Sequence, residues 1–315
     1  MSFIRAFGSY LPSRIVKNEE IGWFTGRTPE WIVGVSGIEQ RRFAAEYEDV
    51  SVLAASAGER CLQNAKMSAK DVGLLIVASG TAPRSFPGPG STVADKLGLH
   101  RAAALDLPMA SAGSVFALAM ARDLAPRYGS VLVIAAEKMS TVALRQPINR
   151  SSAALFGDGA GACLVSSREG FLEIVDSSLH TDGTGSEDLR LGFTAPLEMR
   201  GRNVIRNAGK KLPAAIREVL HHSDLHPKEV DAYFVHQANL HVVEGVARAL
   251  GADTESFPVN IREYGNTSSA SMLIVADEYF RDRSVKAGHY FVFGAFGAGY
   301  HWGAVLAKSR RTAAA

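Results

Sequence analysis

One succession of helix, connector and strand occurs twice in this chain, and the repeat limits the folds that are open to it. In the first copy, a stretch with helical apolar spacing leads through Lys70-Asp71-Val72 into a continuous apolar run typical of a buried strand. In the second copy, the same order passes through Lys228-Glu229-Val230. The three parts span 51–64, 67–72 and 73–79 in the first copy, and 210–222, 225–230 and 231–235 in the second.

Later strands of the two copies correspond as well. The run 131–136 matches 289–294, and each is followed by a glycine-rich turn and a last strand. The pattern predicts an α/β protein with two copies of one unit, in which strands alternate with helices in a mostly parallel sheet. The predicted halves are residues 1–166 and 167–315, with a polar, lid-like segment at about 180–206. On spacing alone, the alternative is a chance similarity between two ordinary βα units.

The two glycine-rich turns, at 156–161 and 296–299, invite comparison with phosphate-binding loops. Such a loop lies between a strand and the N-terminus of a helix, whereas an apolar strand follows each of these turns. We therefore expect the glycines to supply positive φ angles and close approach of backbones.

Composition narrows the function classes. The 34 basic and 32 acidic residues are interspersed and leave a net charge of +2, which argues against a nucleic-acid or membrane-surface partner. The sequence shows neither a signal peptide nor an 18-residue apolar span, and predicts a cytoplasmic protein. Cys61 and Cys163 lie in apolar patterns and are expected to be buried, without a disulfide or a metal site. No tightly bound cofactor is expected.

Ser111 lies on a bend of small residues between the apolar run 104–107 and a helix predicted from Val115 to Arg122. We expect it to cap this helix, beside backbone N–H groups that lack an intrahelical partner. The same position suits negative charge that develops on a nucleophile. The sequence leaves both interpretations open, a structural cap and a nucleophile.

Two further polar segments are predicted at the carboxyl ends of strands or at bends before helices. His236 comes directly after the buried strand 231–235, and Asn266 follows Gly265 before a helix at 272–280. Ligands in α/β folds usually bind at this edge of the sheet. A histidine at such an edge can also be purely structural. Ser111, His236 and Asn266 are therefore the candidate catalytic residues.

Several segments, in this order along the chain, resemble the β-ketoacyl-acyl-carrier-protein synthase III family of the thiolase superfamily. They are Glu30-Trp31-Ile32-Val33, Gly37-Ile38-Glu39-Gln40-Arg41-Arg42, Phe86-Pro87, Phe156-Gly157-Asp158-Gly159-Ala160-Gly161, His236-Gln237-Ala238-Asn239, Gly265-Asn266-Thr267-Ser268 and Phe296-Gly297-Ala298-Gly299. The resemblance runs nearly end to end. It implies a thiolase-like α/β fold with two pseudo-repeated βαβαβαββ halves in five layers, usually in a homodimer.

The resemblance also implies an activity. Members of this family take an acyl group from acyl-CoA onto a cysteine, decarboxylate malonyl carried on acyl carrier protein, and join the two carbons. His236 and Asn266 match the pair that stabilises the enolate, a task that requires hydrogen-bond donors. The backbone N–H groups of Ser111 and Ala298 match the oxyanion donors. The matching substrate-binding positions are Trp31, Arg150, Asn239, Phe296 and Phe86.

The sequence departs from the family at Ser111, where the family has cysteine. A serine hydroxyl is scarcely acidic and needs a base, for which His236 is the candidate. Three origins stay open: a natural serine enzyme, a member that does not transfer acyl groups through this residue, and a laboratory substitution that traps substrate. Val35 and His241 also stand where the family commonly has arginines that serve CoA and the carrier protein.

We predict an acyl-CoA-dependent acyltransferase of the ketoacyl synthase III type, in fatty acid or polyketide biosynthesis. Alternatives in the same fold are acyl transfer to a small-molecule hydroxyl or amine, and a decarboxylase or regulatory member. A serine hydrolase is the alternative from another class, but Met109-Ala110-Ser111-Ala112-Gly113 lacks the first glycine of a nucleophile elbow, and Asn266 replaces the triad acid. The acyl chain and the acceptor are not predicted.

Overall fold

The computed structural model describes residues 1–192 and 194–310. The strands are β1 (Phe3–Tyr10), β2 (Arg14–Lys17), β3 (Gln40–Phe43), β4 (Leu74–Ala78), β5 (Ala103–Leu107), β6 (Ser130–Lys138), β7 (Asp158–Ser166), β8 (Leu172–Thr181), β9 (Leu189–Arg190), β10 (Glu198–Met199), β11 (Val230–Val235), β12 (Tyr290–Gly297) and β13 (His301–Ser309). The helices are α1 (Asn18–Thr25), α2 (Pro29–Ser36), α3 (Val50–Asn64), α4 (Pro89–Lys96), α5 (Gly113–Tyr128), α6 (Ser140–Ala143), α7 (Gly201–His221), α8 (Leu240–Leu250), α9 (Ile261–Tyr264) and α10 (Ser271–Arg281). Short 3₁₀ turns lie at Ala69–Asp71, Gly183–Asp188, Pro227–Glu229, Thr254–Ser256 and Ser268–Ala270.

The central sheet has the strand order β5-β4-β6-β7-β1-β8-β13-β12-β11. Two residue pairs join β1 to β8, Phe3 with Glu173 and Ile4 with Leu172. On either side of this junction, β4, β6 and β7 occupy places that mirror those of β11, β12 and β13. The predicted domain boundary after residue 166 falls in the connection between β7 and β8, and stays a prediction.

The strands of this sheet are mainly antiparallel, so the expectation of a mostly parallel sheet is wrong for the described residues. The parallel pairs are β4 with β5, β4 with β6, and β11 with β12. In contrast, β12 and β13 are joined through Ala298, Gly299 and Tyr300. Such a connection is too short for the crossover that a parallel pair requires.

The junction of β1 and β8 divides the sheet into two half-sheets, β5-β4-β6-β7-β1 and β8-β13-β12-β11. Helices fill the space between the two half-sheets and cover their outer faces. Helix α5 contacts β4, β6 and β7 on one side and β8, β12 and β13 on the other, and α10 also contacts both half-sheets. Apolar residues such as Val115, Leu118 and Leu273 form the central core there. The pair α3 and α4 covers one outer face, and α7 with α8 covers the other. This arrangement of helix, sheet, helix, sheet and helix confirms the predicted α/β fold class.

Helix α7 is longer than the sequence indicated. It begins at Gly201 rather than near Lys210, so the end of the lid-like segment is helical. Its first turns contain Arg202, Asn203 and Arg206, whose polarity hides the helical pattern. None of the helices in the described ranges combines the length and the apolar character needed to cross a bilayer.

Contrary to expectation, the glycines of 156–161 do not form a turn. Gly159 and Gly161 lie within β7, and neither has a positive φ. A Cβ atom at Gly161 would lie 2.6 Å from the Cβ of Leu273 and 3.0 Å from the backbone nitrogen of Ile274. These glycines therefore allow α10 to pack directly on the strand, so for 156–161 only the expectation of close approach is correct. In the second turn, Gly299 has a φ of +134°, as expected.

Both cysteines are buried and free, as predicted. Burial raises the pKa of the Cys61 and Cys163 thiols above the ordinary value. Neither thiol is therefore available as a thiolate nucleophile at neutral pH.

Candidate active site

Ser111 lies on a sharp turn between β5 and α5. Its φ is +62°, in the left-handed region, which is uncommon for a residue with a side chain and costs about 1–3 kcal/mol. Ser111 is not the helix cap: Ala112 occupies that position, and no side chain caps α5. The prediction of a capping serine is therefore wrong, because the left-handed turn places Ser111 one residue before the cap.

Close packing of backbones holds this turn in place. The N–H of Ser111 donates to Ser268 Oγ at 3.0 Å. A Cβ atom at Gly297 would lie 2.5 Å from the carbonyl oxygen of Ala110 and 2.9 Å from Ser111 Cβ. Glycine at position 297 therefore lets the end of β12 pack against the turn, and Ala298 follows directly.

His236 is the first residue after β11 and is buried, with 6% of its surface exposed. Its backbone N–H donates to Gly294 on the neighbouring strand at 2.9 Å, and its Nδ1 lies 2.7 Å from Ser271 Oγ. Burial lowers the pKa of His236 to about 4, because the charged form loses its hydration. The imidazole is therefore neutral at neutral pH.

Asn266 is anchored through both its backbone and its side chain. Its N–H donates to Leu155 at 2.8 Å, and its carbonyl accepts from Gly157 at 3.1 Å. The side-chain Oδ1 accepts from the N–H of Ser268 at 2.8 Å. This contact assigns the other end of the amide as Nδ2, which makes a long contact of 3.4 Å to the carbonyl of Ala238 and is available as a donor.

Ser111, His236 and Asn266 line the same cavity, whose volume is about 110 Å³. The rest of the wall is mostly apolar and comes from the hairpin β9–β10, α7, α8 and the ends of strands. Its apolar residues are Leu155, Phe156, Leu189, Met199, Val204, Ile205, Ala208, Leu212, Ala238, Val242 and Phe296. The structure thus brings the three candidate catalytic residues together; their catalytic roles stay predictions.

The predicted substrate-binding residues are distributed over several places. Asn239 and Phe296 line the cavity. Trp31 is half-buried on α2, with the Arg27 guanidinium 4.4 Å from its ring centre, and Arg150 is exposed. Phe86 is 85% exposed and does not belong to the lining of this cavity.

Val35 and His241, which stand where the family commonly has arginines, lie near one another. Asn239 Nδ2 donates to the carbonyl of Val35 at 2.7 Å, which ties the start of α8 to the end of α2. His241 Nε2 lies 3.0 Å from the carbonyl of Gly34, and Val35 is 39% exposed. Because Asn239 lines the cavity, this exposed surface lies beside the cavity.

The lid-like segment forms one wall of the cavity through Leu189 and Met199. Asp188 anchors it, since this carboxylate accepts from Tyr300 Oη at 2.6 Å and from Asn203 Nδ2 at 3.1 Å. Tyr300 closes the turn that contains Ala298. The segment therefore contacts the cavity and the turn at once; Phe193, within it, lies outside the described residues.

Sequence reasoning missed Glu137, Ser268 and Ser271. Glu137 is fully buried at the end of β6, where it accepts from Thr81 Oγ1 at 2.6 Å and from Ser269 Oγ at 2.7 Å. Burial raises its pKa. The signal that could have identified Glu137 is its position directly after the apolar run 131–136. His236 was selected in the same way, as a polar residue at the end of a buried strand.

Comparisons with known proteins show which family the chain belongs to. The family model described as 3-oxoacyl-[acyl-carrier-protein] synthase III matches residues 105–183, and the model of its C-terminal part matches 220–309. A β-ketoacyl-[acyl-carrier-protein] synthase III of Roseobacter denitrificans is 36% identical over 318 aligned positions, which cover 97% of this chain and 98% of that protein. The chain belongs to the β-ketoacyl-acyl-carrier-protein synthase III family.

Solved structures of a synthase III and of a priming β-ketosynthase show the same fold. The 3-oxoacyl-[acyl-carrier-protein] synthase III of Aquifex aeolicus has a TM-score of 0.93 and 32% identity, covering 98% of this chain and all (100%) of that one. A priming β-ketosynthase of a polyketide biosynthetic pathway has a TM-score of 0.91 and 31% identity, covering 98% and 96% of the two chains. This synthase III family member is thus an enzyme of the acyltransferase class with the thiolase-like fold.

Proposed function

We propose that this enzyme transfers an acyl group from acyl-CoA to Ser111 and then joins it to a malonyl thioester. One observation carries the proposal: Ser111 sits on a strained turn and shares a small cavity with His236 and Asn266. Strained backbone that persists beside a cavity is a common feature of catalytic sites. Full-length relatives named synthase III support the same reaction.

In the first step, Ser111 Oγ attacks the thioester carbonyl. The new bond joins Oγ to the carbonyl carbon, the bond from carbon to sulfur breaks, and the Oγ proton passes through His236 to the CoA thiolate. A neutral imidazole suits this task, because a protonated one could not accept the proton.

The negative oxygen formed in this step needs donors. The candidates are the backbone N–H groups of Ser111 and Ala298; Gly297, which precedes Ala298, packs against the turn that contains Ser111. The N–H of Ser111 donates to Ser268 Oγ in the free enzyme. It must therefore exchange that acceptor for the substrate oxygen as the bond forms.

In the second step, the malonyl group loses carbon dioxide and leaves an enolate. The enolate carbon then forms a bond to the acyl carbonyl carbon, the bond from that carbon to Ser111 Oγ breaks, and Oγ takes up a proton from water. Asn266 Nδ2 is a suitable donor to the enolate oxygen, because Oδ1 is held by Ser268 and fixes the direction of the amide. The resemblance to the family adds His236 as a second donor, a role that requires a proton on Nε2.

The cavity favours a short acyl group. Its volume of about 110 Å³ is well below the ~300 Å³ at which pockets for drug-sized ligands begin. Trp31, Arg150 and Asn239 are the proposed contacts of CoA. With Val35 and His241 in place of arginines, we propose acyl carrier protein as the malonyl donor on the family resemblance alone.

We also propose a homodimer, built on the open edge of the sheet. Strand β5 is the outermost strand, and Ala103 to Asp106 are exposed along it. An uncovered edge strand with apolar residues pairs readily with another chain. We propose that β5 of one subunit pairs with β5 of a second subunit, because contact between two identical surfaces gives a closed, symmetric dimer.

The reaction is tested by following both steps with Asn266→Ala. We expect release of carbon dioxide from a malonyl thioester to slow by about 10² to 10³, the usual loss for one donor of this kind, while acylation of Ser111 changes a few-fold at most. Asn64→Ala is a matched control, because Asn64 Nδ2 donates to Phe7 on the far side of the first half-sheet. An acylated wild-type enzyme that never releases carbon dioxide would favour acyl transfer to a hydroxyl or amine.

The origin of the serine is tested with Ser111→Cys. A thiolate forms far more readily than an alkoxide, so a site built for cysteine should gain turnover by orders of magnitude. A natural serine enzyme should gain little or lose turnover. Steady-state turnover of both proteins with one acyl-CoA and one acceptor distinguishes these origins.

A further inference from the structure

Glu137 is a fully buried acid near the end of β6, and the proposed chemistry does not use it. Its Oε1 accepts from Ser269 Oγ at 2.7 Å, and its Oε2 accepts from Thr81 Oγ1 at 2.6 Å. The N–H of Gly80 points at both oxygens, at 3.1 and 3.0 Å. One side chain therefore ties the end of β6 to the segment after β4 and to the 3₁₀ turn before α10.

The segment after β4 packs against the turn that contains Ser111. A Cβ atom at Gly80 would lie 2.7 Å from the Cβ of Ala110 and 3.0 Å from its Cα. The backbone of Gly80 therefore touches the residue that precedes Ser111. Because the N–H of Gly80 is bonded to Glu137, the acid fixes this support of the turn.

The 3₁₀ turn before α10 reaches Ser111 through a hydrogen bond. Ser269 follows Ser268, whose Oγ accepts from the N–H of Ser111. The N–H of Ser268 in turn donates to Asn266 Oδ1. The bond from Ser269 Oγ to Glu137 therefore fixes a segment that contacts both the nucleophile candidate and the candidate donor to the enolate.

The geometry of these segments needs such support. Ser111 and Ser268 both have a positive φ, which is costly for a residue with a side chain and persists only where the surroundings fix it. Misplacement of a reacting group by about 1 Å can cost about a hundredfold in rate. An anchor shared by both supports is therefore expected to act on the rates of reaction more than on binding.

We propose that Glu137 is a positioning residue for both steps of the reaction. By anchoring the two supporting segments, it keeps the Ser111 turn in its left-handed conformation and fixes the direction of the Asn266 amide. The described part of the cavity wall does not include Glu137, so the acid acts through its neighbours. The inference rests on the proposed function, in which Ser111 accepts the acyl group and Asn266 donates to the enolate.

Hydrogen exchange at the Ser111 amide tests the proposal directly and without substrate. In nitrogen-15 NMR of serine-labelled enzyme, the signal missing from Ser111→Ala identifies this amide. In Glu137→Met, whose side chain is of similar length and carries no oxygen, we expect the Ser111 N–H to exchange at least tenfold faster than in the wild-type enzyme. The N–H of Ser309, which donates to His289 at the far end of β13, should keep its rate. Unchanged exchange at Ser111, or an equal increase at Ser111 and Ser309, overturns the proposal.

The rates of the two steps give the second readout. In Glu137→Met, we expect both the acylation of Ser111 and the release of carbon dioxide from a malonyl thioester to fall about tenfold or more at saturating substrate, with KM for acyl-CoA nearly constant. Glu137→Gln keeps one acceptor oxygen and should recover part of both rates. Wild-type rates in a folded Glu137→Met protein overturn the proposal.

Thr81→Val keeps the proposal testable if Glu137→Met does not fold. Thr81 is partly exposed, and its hydroxyl donates to Glu137 while its oxygen accepts from the N–H of Lys138. Valine has the same shape without the hydroxyl, so acylation should fall several-fold, and Thr81→Ser should restore it. Equal rates in Thr81→Val, Thr81→Ser and the wild-type enzyme overturn the proposal.

The matched control is Glu48→Met. Glu48 is 6% exposed, and its side chain likewise accepts from a hydroxyl, Tyr10 Oη at 2.5 Å, and from a backbone N–H, that of Ala45 at 2.7 Å. It lies in the loop before α3 and is not part of the described cavity wall. A loss of stability without a loss of rate is expected here, and a loss of rate equal to that of Glu137→Met overturns the proposal.

The two readouts also distinguish this inference from the proposed function. Absence of acylation in every protein, the wild-type enzyme included, would contradict the role of Ser111 as acyl acceptor. Hydrogen exchange at the Ser111 amide would still decide whether Glu137 holds the turn.

Discussion

The backbone N–H of Ser111 donates to the side chain of Ser268 at 3.0 Å, and both serines have a positive φ, +62° and +50°. The two residues are 157 positions apart and lie in the two predicted halves of the chain. The strained turn before α5 is therefore held by the segment that precedes α10.

Ser268→Ala tests what this contact does. The free energy of unfolding should fall by about 1–2 kcal/mol, because the buried N–H of Ser111 loses its acceptor. Acylation should change a few-fold at most, since the N–H becomes available to the substrate oxygen. Urea denaturation and the rate of acylation provide the readouts, with Ser114→Ala, a buried serine of α5, as control. A hundredfold loss of rate in a folded Ser268→Ala protein would mean that Ser268 itself takes part in the step.

The pH dependence of acylation reports on His236. The base works when it is unprotonated, and burial lowers its pKa to about 4. We expect a rate of Ser111 acylation that is flat from about pH 5 to pH 8 and that falls only as the pH approaches 4. Circular dichroism at each pH confirms that the protein stays folded. A rate that already halves near pH 6.5 would show that His236 keeps its ordinary pKa and is better hydrated than the structure indicates.

Tyr300→Phe tests the link between the lid-like segment and the Ala298 turn. The change removes the hydroxyl that donates to Asp188 at 2.6 Å, so the turn is held less firmly. The rate of acylation should fall several-fold, with little change in KM for acyl-CoA, and the free energy of unfolding should fall by about 1 kcal/mol. Tyr233→Phe is the matched control, because Tyr233 Oη donates to Pro227 at 2.6 Å in the C-terminal half. Equal rates in the two variants would leave the Asp188 contact without a role in catalysis.

Leu105→Lys tests the proposed dimer. Leu105 is 39% exposed on the edge strand β5, and a lysine there disfavours pairing of edges. Sedimentation should show a dimer for the wild-type chain and a shift toward monomer for Leu105→Lys. Ile15→Lys, at an exposed apolar residue of β2, should leave the dimer intact. A wild-type chain that sediments as a monomer at micromolar concentration would exclude pairing through β5.

Local signals in the sequence predicted much of the fold. Thr28 and Pro29 mark the start of α2, with the Thr28 side chain accepting from the N–H of Trp31. The apolar run ending before His236 forms the buried strand β11, which delivers the histidine to the cavity. These features depend on residues close together in the chain, so periodicity and capping rules reveal them.

The features that the sequence did not reveal depend on contacts between distant segments. Gly161 looks like part of a turn until Leu273 is seen against it, and the left-handed φ of Ser111 depends on packing from Gly297 and Ser268. Ser271 was visible only as one serine in a polar segment. Its relation to His236 arises when α10 packs beside the end of β11. Sequence patterns do not reveal which distant residues become neighbours in the fold.

The central claim, that Ser111 accepts the acyl group, is tested most directly by the intact mass of the protein after incubation with a short-chain acyl-CoA. We predict that the wild-type chain gains the mass of one acyl group and that Ser111→Ala gains none. The same adduct on Ser111→Ala would place the acyl group on another residue and contradict the account.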